Sequence, residues 1–204
     1  MNVLLPVFYL PPVSWFAEFL KPDREILLEQ FENFPKQTFR NRTLIYGANG
    51  KLALMIPIKH NGSRLYKETE ISYAEDWPKQ HWKSIKTAYQ SSPYFEYYED
   101  KLQTIYGEKK KYLFDFNLKV LDVIQSLLKT EVNFELTHEY LKEPVMLNLR
   151  DKFSAKNSQN KGYPEYYQSF TAKHGFIEDL SILDLLCNIG PESSTYLKNI
   201  TTQQ

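Results

Sequence analysis

MNVLLPVFYLPPVSWF, residues 1–16, decides how this chain begins to fold. Residues 2–8 are a short apolar run of the kind that forms a strand buried on both faces. Pro11-Pro12 break the run, because proline has a fixed φ and no N–H to donate. Val13–Leu20 then read as a short helix or turn. A strand that leads through a tight turn into a helix predicts an α/β start. The stretch has no positive leading segment and three prolines interrupt it, so it does not read as a secretory signal.

Outward from it, the first third is rich in strand signals. Glu25–Phe34 holds a candidate, strongest at Ile26–Phe31. Phe39–Tyr46 and Leu52–Ile58 are two more, joined by Gly47-Ala48-Asn49-Gly50, where Asn-Gly is a strong hairpin signal. Pro57 suits a strand end or an edge. Tyr66–Tyr73 alternates weakly. The middle is helical: Pro78 suits the first turn of a helix running to about Gln90. Ser92-Pro93 reads as the opening of another, and Lys111–Leu128 carries apolar residues at helical spacing. Phe134–Thr137 is a late strand candidate. Residues 150–165 read as a long exposed loop. Ser181 is an N-cap candidate with Asp184 at the capping-box position, and Gly190-Pro191 ends that helix. A last helix follows from Glu192, and 201–204 are expected to fray. The sum is α/β (or α+β): a single domain over 1–204, with a mixed sheet mostly from the N-terminal third and helices packed on it from about residue 78.

Composition narrows the function classes. The 204 residues carry 25 Lys plus Arg against 25 Asp plus Glu, which argues against a nucleic-acid or other polyanion binder. The 15 Tyr, 13 Phe and 3 Trp can fill a substantial core. Cys187 is the single cysteine, so an internal disulfide and a cysteine-rich zinc site are excluded, and no metal is expected. The expected location is the cytoplasm. No stretch approaches the ~20 apolar residues of a membrane span. Motifs for dinucleotides, a P-loop or a nucleophile elbow are absent.

Three places can carry chemistry. In Lys36-Gln37-Thr38-Phe39-Arg40-Asn41-Arg42, a strand over Phe39–Tyr46 puts Arg40 and Arg42 on one face. Two guanidiniums side by side call for an anion, a phosphate or carboxylate, with Lys36 able to join. The alternative is internal pairing with Glu29 and Glu32. In Trp77–Lys83, His81 shares a helix face with Ile85 and Ala88. It is either an acid or base near pH 7 or a satisfied core histidine. His60, His138 and His174 have no shared metal spacing. The turn Tyr9–Ser14 is either an anion-binding helix start or a plain tight turn.

The runs YLPPVSWF (Tyr9–Phe16), KQTFRNR (Lys36–Arg42), ANGKLALMIPI (Ala48–Ile58) and WPKQHWKSIKTAYQSSPYFEYY (Trp77–Tyr98) resemble the WbqC-like protein family. So do LFDFN (Leu113–Asn117), YYQSF (Tyr166–Phe170) and GFIEDLSILDLLCNIGPES (Gly175–Ser193), and the resemblance is to the branch found in Bacteroidetes-type bacteria. The resemblance implies a bacterial role in surface-polysaccharide modification, with acyl or aminoacyl transfer onto an amino sugar as the suggested reaction. Matching motif positions are Tyr9, Leu10, Pro11, Lys36, Arg40, Asn41, Arg42, Asn49, Gly50, Trp77, His81 and Tyr89. The wider family often carries His-Gln-Pro where this chain has Leu5, Pro6 and Val7, which points to a changed substrate or a lost reaction.

The resulting expectation is a cytoplasmic sugar-modifying transferase of undefined donor and cofactor. In it Lys36, Arg40, Asn41, Arg42 and Tyr9 bind an anionic small molecule and His81 is the acid or base. The alternative is a non-catalytic binder of an anionic metabolite or a protein partner.

Overall fold

The computed structural model describes residues 1–59, 62–154 and 161–202. Strand β1 (Asn2–Pro6) passes through the double-proline turn into helix α1 (Val13–Phe19), and the chain returns as β2 (Glu25–Glu29). β1 and β2 pair in parallel. Val3, Leu4 and Leu5 are fully buried, as the apolar run required. Trp15 of α1 stacks on Phe19 and its Nε1 donates to the Pro6 carbonyl at 2.9 Å, which ties the helix back to the strand it left. Leu10 in the turn holds φ at 43°. A left-handed leucine costs roughly 1–2 kcal/mol. Its carbonyl offsets this by accepting from two buried hydroxyls, Thr43 Oγ1 and Ser181 Oγ.

The hairpin follows as β3 (Arg42–Gly47) and β4 (Gly50–Met55), antiparallel, with Gly50 at φ 95° in the turn. Helices α2 (Trp77–Tyr89), α3 (Phe95–Gln103) and α4 (Leu113–Leu128) come next. Strands β5 (Phe134–Leu136) and β6 (Leu147–Asn148), then helices α5 (Thr171–His174), α6 (Ile182–Ile189) and α7 (Ser193–Thr202), complete the chain. The main sheet is wholly parallel in the order β5-β2-β1-β6, and β3–β4 stands apart from it. Both share one hydrophobic core with α1, α2, α4, α6 and α7.

The fold is therefore α/β, with several departures in detail. Half of the parallel sheet's strands come from residues 134–148, beyond the N-terminal third. Two-residue β6 has no local signal; pairing with Val3 and Leu4 creates it. The expected strand at Tyr66–Tyr73 is a 3-10 turn at Tyr66–Glu68, followed by bridges at Glu70 and Ile71. Thr69 explains this, since its N–H donates to Tyr66 O and its hydroxyl to Leu65 O, closing a local turn. Ser92 does not cap α3; its hydroxyl bonds Ser169, and the helix starts at Phe95. Ser181 does cap α6, accepting from Leu183 N–H at 3.3 Å. Within 150–165, expected as an exposed loop, Arg150, Phe153 and Tyr163 are buried. Residues 155–160, 203 and 204 lie outside the described residues.

Candidate functional site

β3 begins at Arg42, not at Phe39. Phe39 is drawn off by Tyr9, whose N–H donates to its carbonyl at 2.9 Å. Arg40 and Arg42 consequently do not share a strand face. Arg40 is 3% exposed and lies over the Phe8 ring. It forks onto Glu32, Nε to Oε1 and Nη2 to Oε2, both at 2.6 Å. Burial raises the Glu32 carboxyl above its ordinary range, and Arg40 pulls against that rise. The internal ion pair considered from the sequence is thus the geometry found for Arg40.

A second pair adjoins the first. Glu29 ends β2 and is fully buried; its Oε2 accepts from Arg150 Nη1 at 3.2 Å and its Oε1 from Thr137 Oγ1. Arg150 also donates to Asn148 Oδ1 and the Leu141 carbonyl. Four charges, Glu29, Glu32, Arg40 and Arg150, are therefore buried beyond the carboxyl ends of the strands. That is where ligands bind in parallel α/β sheets. Here the protein's own counterions fill it.

Arg42 is different. It is half-buried, its Nη2 lies 3.9 Å from Met55 Sδ, and its buried Nε has no hydrogen-bond partner. No carboxylate pairs with it among the described residues. Asn41 is spent on the hairpin: its Nδ2 donates to Ile56 O at 3.0 Å, and its carbonyl accepts from Ile56 N–H at 2.7 Å. Lys36 is exposed and lies in the loop before Arg40.

Tyr9 and His81, distant in sequence, meet. The Tyr9 hydroxyl lies 2.9 Å from His81 Nδ1 and 2.6 Å from the Tyr106 hydroxyl. Tyr106, Tyr9 and His81 thus form one chain of hydrogen bonds, and its donor order follows the imidazole tautomer. Burial lowers the His81 pKa to about 4, against the Met55 carbonyl, which favours the charged form. His81 is thus neutral at pH 7. Burial also raises Tyr9 and Tyr106, so all three groups stay uncharged. Trp77 lies against His81, with ring centres 5.0 Å apart, and stacks on Tyr73. Its Nε1 is buried without a partner. Tyr106 and Met55 carried no signal in the sequence, because only tertiary packing sets the turn at Thr104–Tyr106 and the hairpin beside α2.

The remaining expectations resolve as follows. At the start of α1, Ser14 N–H and Oγ donate to the two oxygens of Asp179, at 2.7 and 2.9 Å. The chain's own carboxylate occupies that turn. Asp184 is no capping residue. It is fully buried and accepts from Tyr166 at 2.6 Å and Gln168 at 2.8 Å, and burial raises its pKa to about 6. Cys187 is buried, and burial pushes its thiol up. His174 Nε2 donates to the Ala48 carbonyl at 2.9 Å, His138 is exposed, and His60 lies outside the described residues. Among the described residues no cluster of His, Cys, Asp and Glu could hold a metal ion, and no helix is long and apolar enough to cross a membrane. A cleft of about 470 Å³ lies at the opposite, amino edge of the sheet, lined by Asn2, Glu25, Leu27, Phe134, Glu135 and Met146. None of the motif residues lines it.

The chain is 28% identical to a Mycobacterium tuberculosis (strain ATCC 25618 / H37Rv) protein described as "Uncharacterized protein Rv1507c", over 93% of this chain and 94% of that one. No solved structure matches. A model described as the WbqC-like protein family matches residues 7–158. That span contains the whole Tyr9, Arg40–Arg42, Met55, Trp77, His81 and Tyr106 assembly and most of the chain, which therefore belongs to the WbqC-like protein family.

Proposed function

We propose that the protein binds the anionic group of a small molecule, a phosphate or carboxylate, at Arg42. We further propose that it does so as a cytoplasmic transferase of sugar modification. The observation that carries this reading is the Arg42 guanidinium, half-buried beside Met55 with an unpartnered Nε. A buried N–H without an acceptor costs about 1–3 kcal/mol, and an anion removes that cost. Arg40 is left out of the direct contact, since Glu32 already takes both of its aligned donors. It anchors the loop from which Lys36 reaches. Asn41 serves by fixing where β3 begins.

In the catalytic form of this reading, Tyr106, Tyr9 and His81 form a proton path. In it Tyr9 passes its hydroxyl proton to His81 Nδ1 as it takes one from the substrate's attacking amine or hydroxyl, so His81 ends protonated and Tyr9 neutral, with Tyr106 donating to the Tyr9 oxygen. Acyl or aminoacyl transfer onto an amino sugar is the reaction the family likeness suggests.

The test is a ligand screen with nucleotide sugars, sugar phosphates, coenzyme A and amino acids, read by thermal shift and then calorimetry. A hit should weaken at least tenfold in Arg42→Met with the fold intact. Equal affinity in wild type and Arg42→Met removes the reading. Binding without turnover by any partner compound, in wild type as in His81→Gln, selects the non-catalytic alternative.

A further inference from the structure

Antiparallel pairing turns a strand's backbone groups alternately toward its partner and away from it. In the hairpin Gly47 and Gly50 close the two-residue turn, so Ile45 with Leu52 and Thr43 with Leu54 exchange bonds, and Arg42, Leu44 and Tyr46 face outward from β3. That edge is closed: the Leu44 carbonyl accepts from Ser181 N–H at 2.8 Å, and Tyr46 N–H donates to the Tyr89 hydroxyl at 3.2 Å. By the same alternation Lys51, Ala53 and Met55 face outward from β4. The N–H groups of all three, and the Lys51 and Ala53 carbonyls, have no partner on that side among the described residues. The open stretch is bounded. The turn ends it before Lys51, and past Met55 the Ser72 N–H donates to the Pro57 carbonyl at 2.8 Å. Its midpoint is Ala53. Lys51, Leu52, Ala53 and Met55 are all exposed, Leu52 by 40% and Met55 by 53%. An apolar, unpaired strand edge is a template for another strand, and the one charge here stands at its end.

We infer that two copies of the chain join at this edge, β4 against β4, antiparallel about a twofold axis through the Ala53 pair, so that two hairpins make one four-stranded sheet. The occupant is a second copy because the open stretch is complementary to itself. With Ala53 opposite the partner's Ala53, Lys51 stands opposite the partner's Met55 and Leu52 opposite the partner's Leu54. All three outward-facing residues then meet the partner's backbone. Sliding either strand by two residues sets an end of the stretch against Asn49 in the turn or against Pro57. In the centred register no two like charges are directly opposed, only methyl groups meet on the axis, and exposed Leu52 and Met55 gain cross-strand neighbours. The contact is isologous, as a twofold dimer requires. Six residues a side bury less than the ~1,200 Å² of a stable interface, so the dimer is weak and forms as concentration rises. This inference stands apart from the anion reading of Arg42.

The experiment is cysteine cross-linking of the full chain, with sedimentation equilibrium beside it. Cys187 is buried, so an added surface thiol reacts alone. Hydrogen-bonded antiparallel pairs hold their Cα atoms about 5.5 Å apart, within reach of a disulfide. In the centred register the two Lys51 residues stand four positions apart along the strand, about 13 Å, which is beyond it. Under mild oxidation Ala53→Cys should therefore cross-link about tenfold faster than Lys51→Cys, while a Lys51→Cys chain should link to a Met55→Cys chain mixed with it. Wild type in sedimentation should show a mass that rises with concentration toward the dimer's. Ala53→Pro should stay monomeric, and its missing N–H faces away from β3, so the hairpin loses no bond. Ala53→Glu, which sets two carboxylates on the axis, should do the same, and it decides the matter if Ala53→Pro fails to fold. Lys51→Cys cross-linking as fast as Ala53→Cys, a wild type that stays monomeric at every concentration, or a dimer that survives Ala53→Glu overturns the inference.

Discussion

Arg40 and Arg42 are two residues apart and differ in almost every physical respect. Arg40 lies over an aromatic ring with both forked donors on Glu32, inside a buried four-charge network. Arg42 is half-buried, bordered by a methionine sulfur, and has an idle Nε. The first region is closed, with each charge matched by a partner, Arg40 by Glu32 eight residues away and Glu29 by Arg150 from 121 residues away. The second is open. A buried charge keeps its place only if its counterion is built in, so the closed pair specifies the fold. An arginine left without a counterion is where an external anion gains most.

The largest expected effect breaks the closed region. Arg40→Met leaves Glu32 buried and unpaired, and chemical denaturation should show a loss of about 3–5 kcal/mol. Adding Glu32→Leu should recover most of it. An Arg40→Met protein as stable as wild type would erase the distinction between the two arginines.

The pH dependence separates the open corner from the rest of the core. His81 titrates in the folded state at about 4, below its ordinary 6.5. Its contribution to stability is present above pH 6.5 and is lost as pH falls toward 4. Asp184, raised to about 6 from 3.8, has the opposite sign: its contribution is present below about 4 and is lost as pH rises through 6. Each is worth about 3 kcal/mol across its window at 1.36 kcal/mol per pKa unit. The two windows overlap and nearly cancel in wild type. His81→Gln should therefore leave a chain that gains stability on acidification from pH 6.5 to 4. Asp184→Asn should leave one that loses stability over the same range. Parallel profiles for the two variants would contradict these assignments.

Tyr9→Phe should cost about 1–3 kcal/mol, because it strands His81 Nδ1 and the Tyr106 hydroxyl in the interior. Arg42→Met should be the mildest, within about 0.5 kcal/mol of wild type in denaturation, while removing anion binding. A destabilisation as large as that of Arg40→Met would place Arg42 in the structural class as well.

Much of the framework is legible in local sequence, since it depends on local physics. Asn49-Gly50 supplies the turn that β3–β4 requires, Pro78 sits in the first turn of α2, and Ser181 caps α6. Within the apolar run at 2–8, β1 takes Asn2–Pro6 and is buried from Val3 onward, because nothing polar interrupts it there. Asp184 was misjudged from spacing alone: the capping-box position was right, but the Tyr166 and Gln168 partners come from a segment packed onto α6.

The candidate site divides the same way. The residue types that can hold an anion or move a proton, Arg40, Arg42, His81 and Tyr9, stand out in sequence because of their chemistry. Their assignments do not. Glu29 and Arg150 are separated by 121 residues and Tyr9 and His81 by 72, and no local pattern encodes contacts at such range. Sequence alone determined the local elements, where each residue's conformational preference and near neighbours suffice. Tertiary structure decided which arginine is neutralised, which tyrosine meets the histidine and where the uncompensated donors lie. Those outcomes depend on desolvation and on partners that only folding brings within hydrogen-bonding distance.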